Sequence, residues 1–147
     1  MTLKGGCFCG RIRFETDETP RNITICHCVD CRRATGSPMV GWFTVGTAAL
    51  RFLLEAPRRF ASSPGVTRSF CPGCGTSLTY RRDKLDEVDV TICSLDEPDA
   101  VVPVDHVWTE RQLGWVRIGD GLPRHGTSRA VPAKDGGAVV AGGGEAT

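Results

Sequence analysis

Apolar positions in this chain recur mostly at every second residue. Ile12 and Phe14 alternate with Arg11, Arg13 and Glu15, and Val88, Val90 and Ile92 alternate with Asp89, Thr91 and Cys93. A period of two places successive side chains on opposite faces of a strand. Residues 2–15 therefore predict two short strands joined at a Cys-Phe-Cys-Gly turn, and residues 22–25 a third strand running into Cys26. The β-prone runs 39–45 and 50–54, split by a Gly46-Thr47 turn signal, predict two more. Residues 58–60 and 66–70 flank Ser62-Ser63-Pro64-Gly65 and read as a hairpin, with strand continuing at Thr79-Tyr80 and over 87–95. Helical signal is confined to about one turn over 29–34, with Asp30 favouring its start and Gly36 and Pro38 ending it. No repeat of 20–50 residues is present.

This pattern predicts a mainly β fold, a small antiparallel sheet domain with few short helices that needs metal to staple it. Trp42, Trp108 and Trp115 are expected in the core. After Pro123 the composition shifts, and residues 138–147 carry Gly142-Gly143-Gly144 and no aromatic side chain. We expect one domain over residues 1–126 and a flexible Gly/Ala-rich tail over 127–147.

Charge narrows the function classes. A net charge of +1 supplies no strong drive toward nucleic acid or anionic membrane. No apolar run approaches membrane-spanning length, and the opening MTLKGGC lacks a basic-then-apolar leader pattern. The expected location is the cytoplasm, where eight cysteines read as metal ligands before disulfides.

The cysteines fall into three clusters and one remainder. Cys26, Cys28 and Cys31 concentrate three thiols in six residues, followed by Arg32, Arg33 and a Thr-Gly-Ser turn. Zn–S bonds of about 2.3 Å in tetrahedral geometry set sulfurs roughly 3.7 Å apart, a spacing that Cys-x-Cys and Cys-x-x-Cys turns supply. Cys7-Phe8-Cys9-Gly10 and Cys71-Pro72-Gly73-Cys74-Gly75 each place Gly after the second thiol, where a zinc knuckle needs positive φ. Two pairs make one closed four-thiolate site. The trio makes a second site with an open position, unless Cys93, His27 or His106 completes it. Two zinc ions per chain are expected.

Gly5-Gly6-Cys7-Phe8-Cys9-Gly10, Cys26-His27-Cys28-x-x-Cys31-Arg32-Arg33-x-Thr35-Gly36-Ser37 and Phe70-Cys71-Pro72-x-Cys74-Gly75-Thr76 resemble the glutathione-dependent formaldehyde-activating (GFA) family, which includes centromere protein V. Leu95-Asp96-x-Pro98-Asp99, His106-x-Trp108, Trp115 and Asp120-Gly121-Leu122-Pro123 resemble its C-terminal half, so the likeness spans about residues 4–124. The resemblance implies a β-tent fold, a structural zinc on Cys7, Cys9, Cys71 and Cys74, and a catalytic zinc on Cys26, Cys28 and Cys31. It implies a carbon–sulfur lyase of the S-(hydroxymethyl)glutathione synthase type, with glutathione as partner.

Each singled-out residue also has a plainer reading. The trio could be a second structural zinc. Arg32 and Arg33 are either solvated charges or partners of a substrate carboxylate beside a centre left net negative by three thiolates. His27 should turn away from its neighbouring cysteines if the strand is extended, His106 is a candidate for the site rim, and His125 reads as surface. Three thiolates also temper Lewis acidity, which favours holding a thiol over activating a carbonyl. The rival function is a non-catalytic zinc module binding a protein or nucleic acid.

Overall fold

The computed structural model describes residues 1–132 and 138–140. In chain order it contains β1 (Leu3–Gly6), β2 (Arg13–Thr16), β3 (Arg21–Cys26), α1 (Val29–Thr35), β4 (Val40–Gly46), β5 (Arg51–Phe52), β6 (Arg58–Ser63), β7 (Val66–Phe70), β8 (Ser77–Arg82), β9 (Glu87–Thr91), β10 (His106–Val107), β11 (Ala130–Pro132) and β12 (Ala138–Val140). The fold is mainly β, and α1 is the single α-helix among the described residues. None of the described helices is long and apolar enough to cross a membrane. The chain forms two compact units, Met1–Ile23 with Gly41–Val102, and Thr24–Val40 with Pro103–Thr147.

The first unit holds the apolar core. β1, β2 and β5 form one antiparallel sheet, and β4, β9, β8, β7 and β6 form a second antiparallel ladder in that order. The alternation read from sequence decides which side chains go inside: Ile12, Phe14, Phe43, Val45, Leu78 and Val90 are fully buried. Phe14 meets Phe52 edge-on with ring centroids 6.3 Å apart, and truncating such a residue to Ala costs about 3–5 kcal/mol.

Two strands are shorter than their patterns predict. β9 stops at Thr91, and Ile92–Ser94 turns as a 3-10 helix. Ser94 Oγ donates to the Thr91 carbonyl at 2.8 Å and Leu95 N–H to the Ile92 carbonyl at 3.0 Å, so local bonds replace the ladder. Ile92 stays buried and Cys93 is turned to solvent. In the run 50–54 only Arg51–Phe52 pairs, while Leu53 and Leu54 are exposed.

In the second unit the end of β3 lies parallel to β10, with Ile25 opposite His106 and Cys26 opposite Val107. α1 follows within two residues. Its N-cap is Cys28, whose Sγ accepts from Cys31 N–H at 3.3 Å, and Asp30 sits in the first turn, where its charge favours the helix start. Gly36, at φ 66°, ends the helix and donates to the Arg32 carbonyl at 2.8 Å, a left-handed cap that glycine adopts without steric cost.

Buried Asp105 ties down the C-terminal part of this unit. Burial works against its charge, but Arg129 Nη2 donates to it at 2.6 Å and holds its carboxyl below the ordinary range. His125 Nε2 lies 3.3 Å from the same carboxylate. Anchored chain therefore reaches Arg129, three residues into the expected tail, and β11 pairs with β12 beyond it. The rest of that tail, 133–137 and 141–147, lies outside the described residues. Of the tryptophans expected inside, Trp42 is buried, Trp108 is half-buried, and Trp115 is 70% exposed.

Candidate metal centres

The two knuckles of the first unit are built on the same plan. In each, the first cysteine donates its N–H to a carbonyl five residues on, Cys7 to Ile12 at 3.0 Å and Cys71 to Thr76 at 3.0 Å. The glycine after the second cysteine donates back to the first, Gly10 to Cys7 at 3.1 Å and Gly75 to Cys71 at 2.9 Å. These glycines have φ of 81° and 79°, the left-handed region that side chains strain to occupy. Backbone N–H groups then face sulfur: Ile12 N–H reaches Cys7 Sγ at 3.2 Å and Gly73 N–H reaches Cys71 Sγ at 3.3 Å. Phe8 N–H also donates to Thr76 Oγ1 at 3.0 Å, joining one knuckle to the other.

Four sulfurs converge there. Cys7, Cys9, Cys71 and Cys74 have Sγ atoms all within 4.8 Å of one another, with Cys7 to Cys9 at 3.5 Å and Cys9 to Cys71 at 3.7 Å. These are tetrahedral edge lengths for a zinc thiolate. Hydrogen bonds from the Thr76 hydroxyl and backbone pull the Cys74 thiol down to about 5. Cys9 receives a backbone bond from Arg11, but the sulfurs of Cys7 and its neighbours and burial push its thiol up to about 11. Sulfurs packed this closely resist becoming thiolates together, and a divalent cation between them relieves that repulsion.

The second centre comes from six consecutive residues. Cys26 ends β3, Cys28 caps α1 and Cys31 lies on its first turn, and all three are buried with Sγ atoms within 4.8 Å of one another. The sulfurs of Cys28 and Cys31, together with burial, hold the Cys26 thiol far above its ordinary range. This is a donor set for a soft divalent ion. No fourth Cys, His, Asp or Glu joins this set among the described residues. Cys93, considered above as a completing ligand, is exposed and belongs to neither cluster.

His27 and His106 are brought together in a way the sequence did not disclose. Both are buried, and His27 Nε2 lies 2.9 Å from His106 Nδ1. His106 Nε2 lies 2.7 Å from Asp120 Oδ2, so His106 is an interior residue and not part of a rim. Its bond to His106 holds the Asp120 carboxyl below its ordinary range, while burial and then His106 keep His27 neutral. Bonding to an ionised Asp120 assigns the proton of His106 to Nε2. A neutral His27 carries its one ring proton on Nε2, toward His106, or on Nδ1. That Nδ1 is buried without a hydrogen bond among the described residues.

The chain from Asp120 to His27 has a mechanical consequence. The His27 backbone lies between Cys26 and Cys28 and donates to the Val107 carbonyl at 3.1 Å. Fixing the ring and the backbone fixes both flanking thiols. Arg32 Nε donates to the His27 carbonyl at 3.3 Å, closing the same turn, whereas Arg33 is exposed. His125, expected at the surface, is partly exposed beside Asp105. Asp120 entered the sequence reading only within the Asp120-Gly121-Leu122-Pro123 likeness, with no role assigned. Its pairing with His106 spans fourteen residues of irregular chain, for which no periodic signal exists.

The family described as glutathione-dependent formaldehyde-activating enzyme matches residues 2–111. A Halomonas elongata protein that provisionally carries that enzyme name is 27% identical over 129 residues, covering 80% of this chain and 82% of its own. An uncharacterised lyase of Schizosaccharomyces pombe is 29% identical over 77 residues, 52% of this chain and 56% of its own. A crystal structure of a Rhodobacter sphaeroides protein superposes with a TM-score of 0.54 at 22% identity, covering 83% of this chain and 98% of that one. The last is a likeness of fold.

Proposed function

Because the chain belongs to the glutathione-dependent formaldehyde-activating enzyme family, we propose that it is a zinc-dependent carbon–sulfur lyase acting on thiol adducts of the glutathione type. The reaction is formation or cleavage of S-hydroxymethylglutathione. The observation that carries this reading is the buried trio Cys26, Cys28 and Cys31, a three-thiol donor set that no fourth ligand closes among the described residues. On this reading Cys7, Cys9, Cys71 and Cys74 hold a structural zinc and the trio holds a catalytic one. The cytoplasm is the proposed location, since its reducing conditions keep such thiols free to ligate.

In the forward direction the glutathione sulfur bonds to the formaldehyde carbon, the carbonyl π pair moves to oxygen, and the thiol proton ends on that oxygen. Cleavage is the reverse. Zinc at the trio would supply deprotonation of the incoming thiol, whose ordinary pKa near about 8.5 leaves it mostly protonated at neutral pH. The residues of the chain hold and orient: Asp120 and His106 fix His27, and His27 fixes the turn carrying Cys26 and Cys28. Arg32 and Arg33 follow the trio directly and supply positive charge for a glutathione carboxylate.

The test pairs binding with turnover. Glutathione should raise the melting temperature of the zinc-loaded protein, and an unrelated thiol or DNA should not. Glutathione–formaldehyde exchange should require the trio. A zinc-loaded protein that neither binds glutathione nor accelerates exchange, yet is stabilised by DNA or a protein partner, would establish the rival binding-module reading.

A further inference from the structure

The first unit contains a cleft of about 380 Å³ that the thiol chemistry leaves unused. Its volume lies within the range of small-molecule sites. One side is the face of the sheet formed by β6, β7 and β8. Register puts Arg59, Ser69 and Thr79 in one cross-strand row and Ala61, Thr67 and Arg81 in the next. Directly paired residues share a face, so both arginines line the cleft from the same side. They lie two strands apart, about 10 Å, and one pleat apart, about 7 Å, a span that two long guanidinium side chains close over one small ligand. Thr47 also lines the cleft, and Leu50, Phe52 and Val88 supply its apolar lining.

Two observations point to a ligand there. Arg81 Nε is buried without a hydrogen-bond partner among the described residues, and so is Thr47 Oγ1. Buried polar atoms of this kind are rare in proteins, because leaving one unsatisfied forfeits its hydration with nothing in return. Here two line the same cleft. The other polar groups are already engaged: Ser69 Oγ and Thr79 Oγ1 bond each other at 2.5 Å, and Thr67 Oγ1 donates to Asp83 at 2.8 Å. Arg81 and Thr47 are thus the lining residues with an unengaged donor.

The charges lining the cleft select the ligand. Arg59 and Arg81 against Asp83 leave one net positive charge, which suits a monoanion and penalises a dianion. The apolar wall suits a hydrocarbon tail. We propose that this cleft binds a small organic monocarboxylate with a short apolar tail: the carboxylate takes the Arg81 Nε–H and the Thr47 hydroxyl, Arg59 completes the charge pairing, and the tail lies on Leu50, Phe52 and Val88. The proposal stands on residues that belong to neither cysteine cluster and is independent of the lyase reading.

Hexanoate is the probe, with hexanamide, inorganic phosphate and glutathione as comparators, on the full zinc-loaded chain. Titration with hexanoate should move the Arg81 Nε–H resonance in a nitrogen–proton correlation spectrum, with a dissociation constant of about 1 mM or below. Hexanamide should bind at least about tenfold more weakly, because a charge-assisted bond to guanidinium is lost. Arg81→Gln should weaken hexanoate binding by about tenfold and Arg59→Gln by about threefold, with zinc content and exchange activity unchanged. Arg59 lies on the exposed strand β6, so its variant keeps the test readable if Arg81→Gln folds poorly. The proposal is overturned if the Arg81 signal stays still, if hexanamide binds as well as hexanoate, or if phosphate binds better. Competition between glutathione and hexanoate would also overturn it, by making the cleft part of the thiol substrate's site.

Discussion

The two cysteine clusters use the same ligand atom and are built in opposite ways. Cys7 and Cys9 meet Cys71 and Cys74 across more than sixty residues, and Cys9 and Cys74 of that set are exposed. Cys26, Cys28 and Cys31 come from one strand end and one helical turn, and all are buried. A metal that closes a long loop contributes its binding energy to folding, whereas one held by six adjacent residues stabilises mainly its own turn. On the proposed reading the four-cysteine set is a complete, structural site. On the same reading the buried trio, backed by two histidines and an aspartate, keeps a position for the substrate thiol.

The largest effect expected from this contrast is on the long-range cluster. Cys71→Ser should lower the melting temperature by at least about 10 °C or abolish the cooperative transition, together with loss of both metals from the unfolded chain. Cys31→Ser should keep the far-UV circular dichroism spectrum and one zinc per chain while exchange activity falls by about a hundredfold or more. If Cys31→Ser unfolds as thoroughly as Cys71→Ser, or turns over normally, the division of labour between the clusters is wrong.

Next in size is the support behind the trio. Asp120→Ala removes the acceptor that orients His106 and through it His27, and should weaken retention of the second zinc by roughly tenfold in a chelator competition. Zinc in the four-cysteine cluster should be retained, a difference that a general loss of stability would not produce. Arg32→Glu should weaken glutathione binding several-fold, and the deficit should shrink at high salt because partly exposed ion pairs are screened. A deficit independent of salt would assign Arg32 to the turn through its bond to the His27 carbonyl alone.

The smallest effect is a control in neither cluster. Burial pushes the Asp89 carboxyl up to about 6, against the opposing bond from Thr44 Oγ1 at 2.5 Å. Its folded form binds a proton more tightly than the unfolded chain does. The favourable contribution is therefore complete below about pH 4 and is lost as pH rises through about 6. Asp89→Asn keeps an acceptor for Thr44 and removes the charge. It should melt a few degrees above the parent near pH 7.5, with the gain shrinking toward pH 5, while zinc content is unchanged. A gain constant with pH would locate the effect outside this titration.

How much of this was legible beforehand varied with the range of the interaction. The knuckle glycines could be read from sequence because positive φ after a second ligand is a local demand, met at Gly10 and Gly75. The strand at 87–91 followed from alternation, but its end at Thr91 did not, because a hydroxyl bond from Ser94 competes with the ladder there. Trp115 was expected inside on size and hydrophobicity, yet it stands on irregular chain with no periodic pattern to assign it a face, and it is exposed.

What the sequence determined by itself is the ligand inventory, seven thiols in motifs whose spacing sets the sulfur–sulfur distances within each motif, and the alternation that makes most of the ordered chain strand. What tertiary structure decided is which groups stand behind those thiols. Cys26, Cys28 and Cys31 are neighbours along the chain, so their spacing is their geometry. His27, His106 and Asp120 are separated by 79 and 14 residues, and only the parallel pairing of β10 with β3 puts His106 beside Ile25 and its ring against His27. Spacing encodes contacts made within a turn, and contacts made across a fold exist only once the backbone has closed.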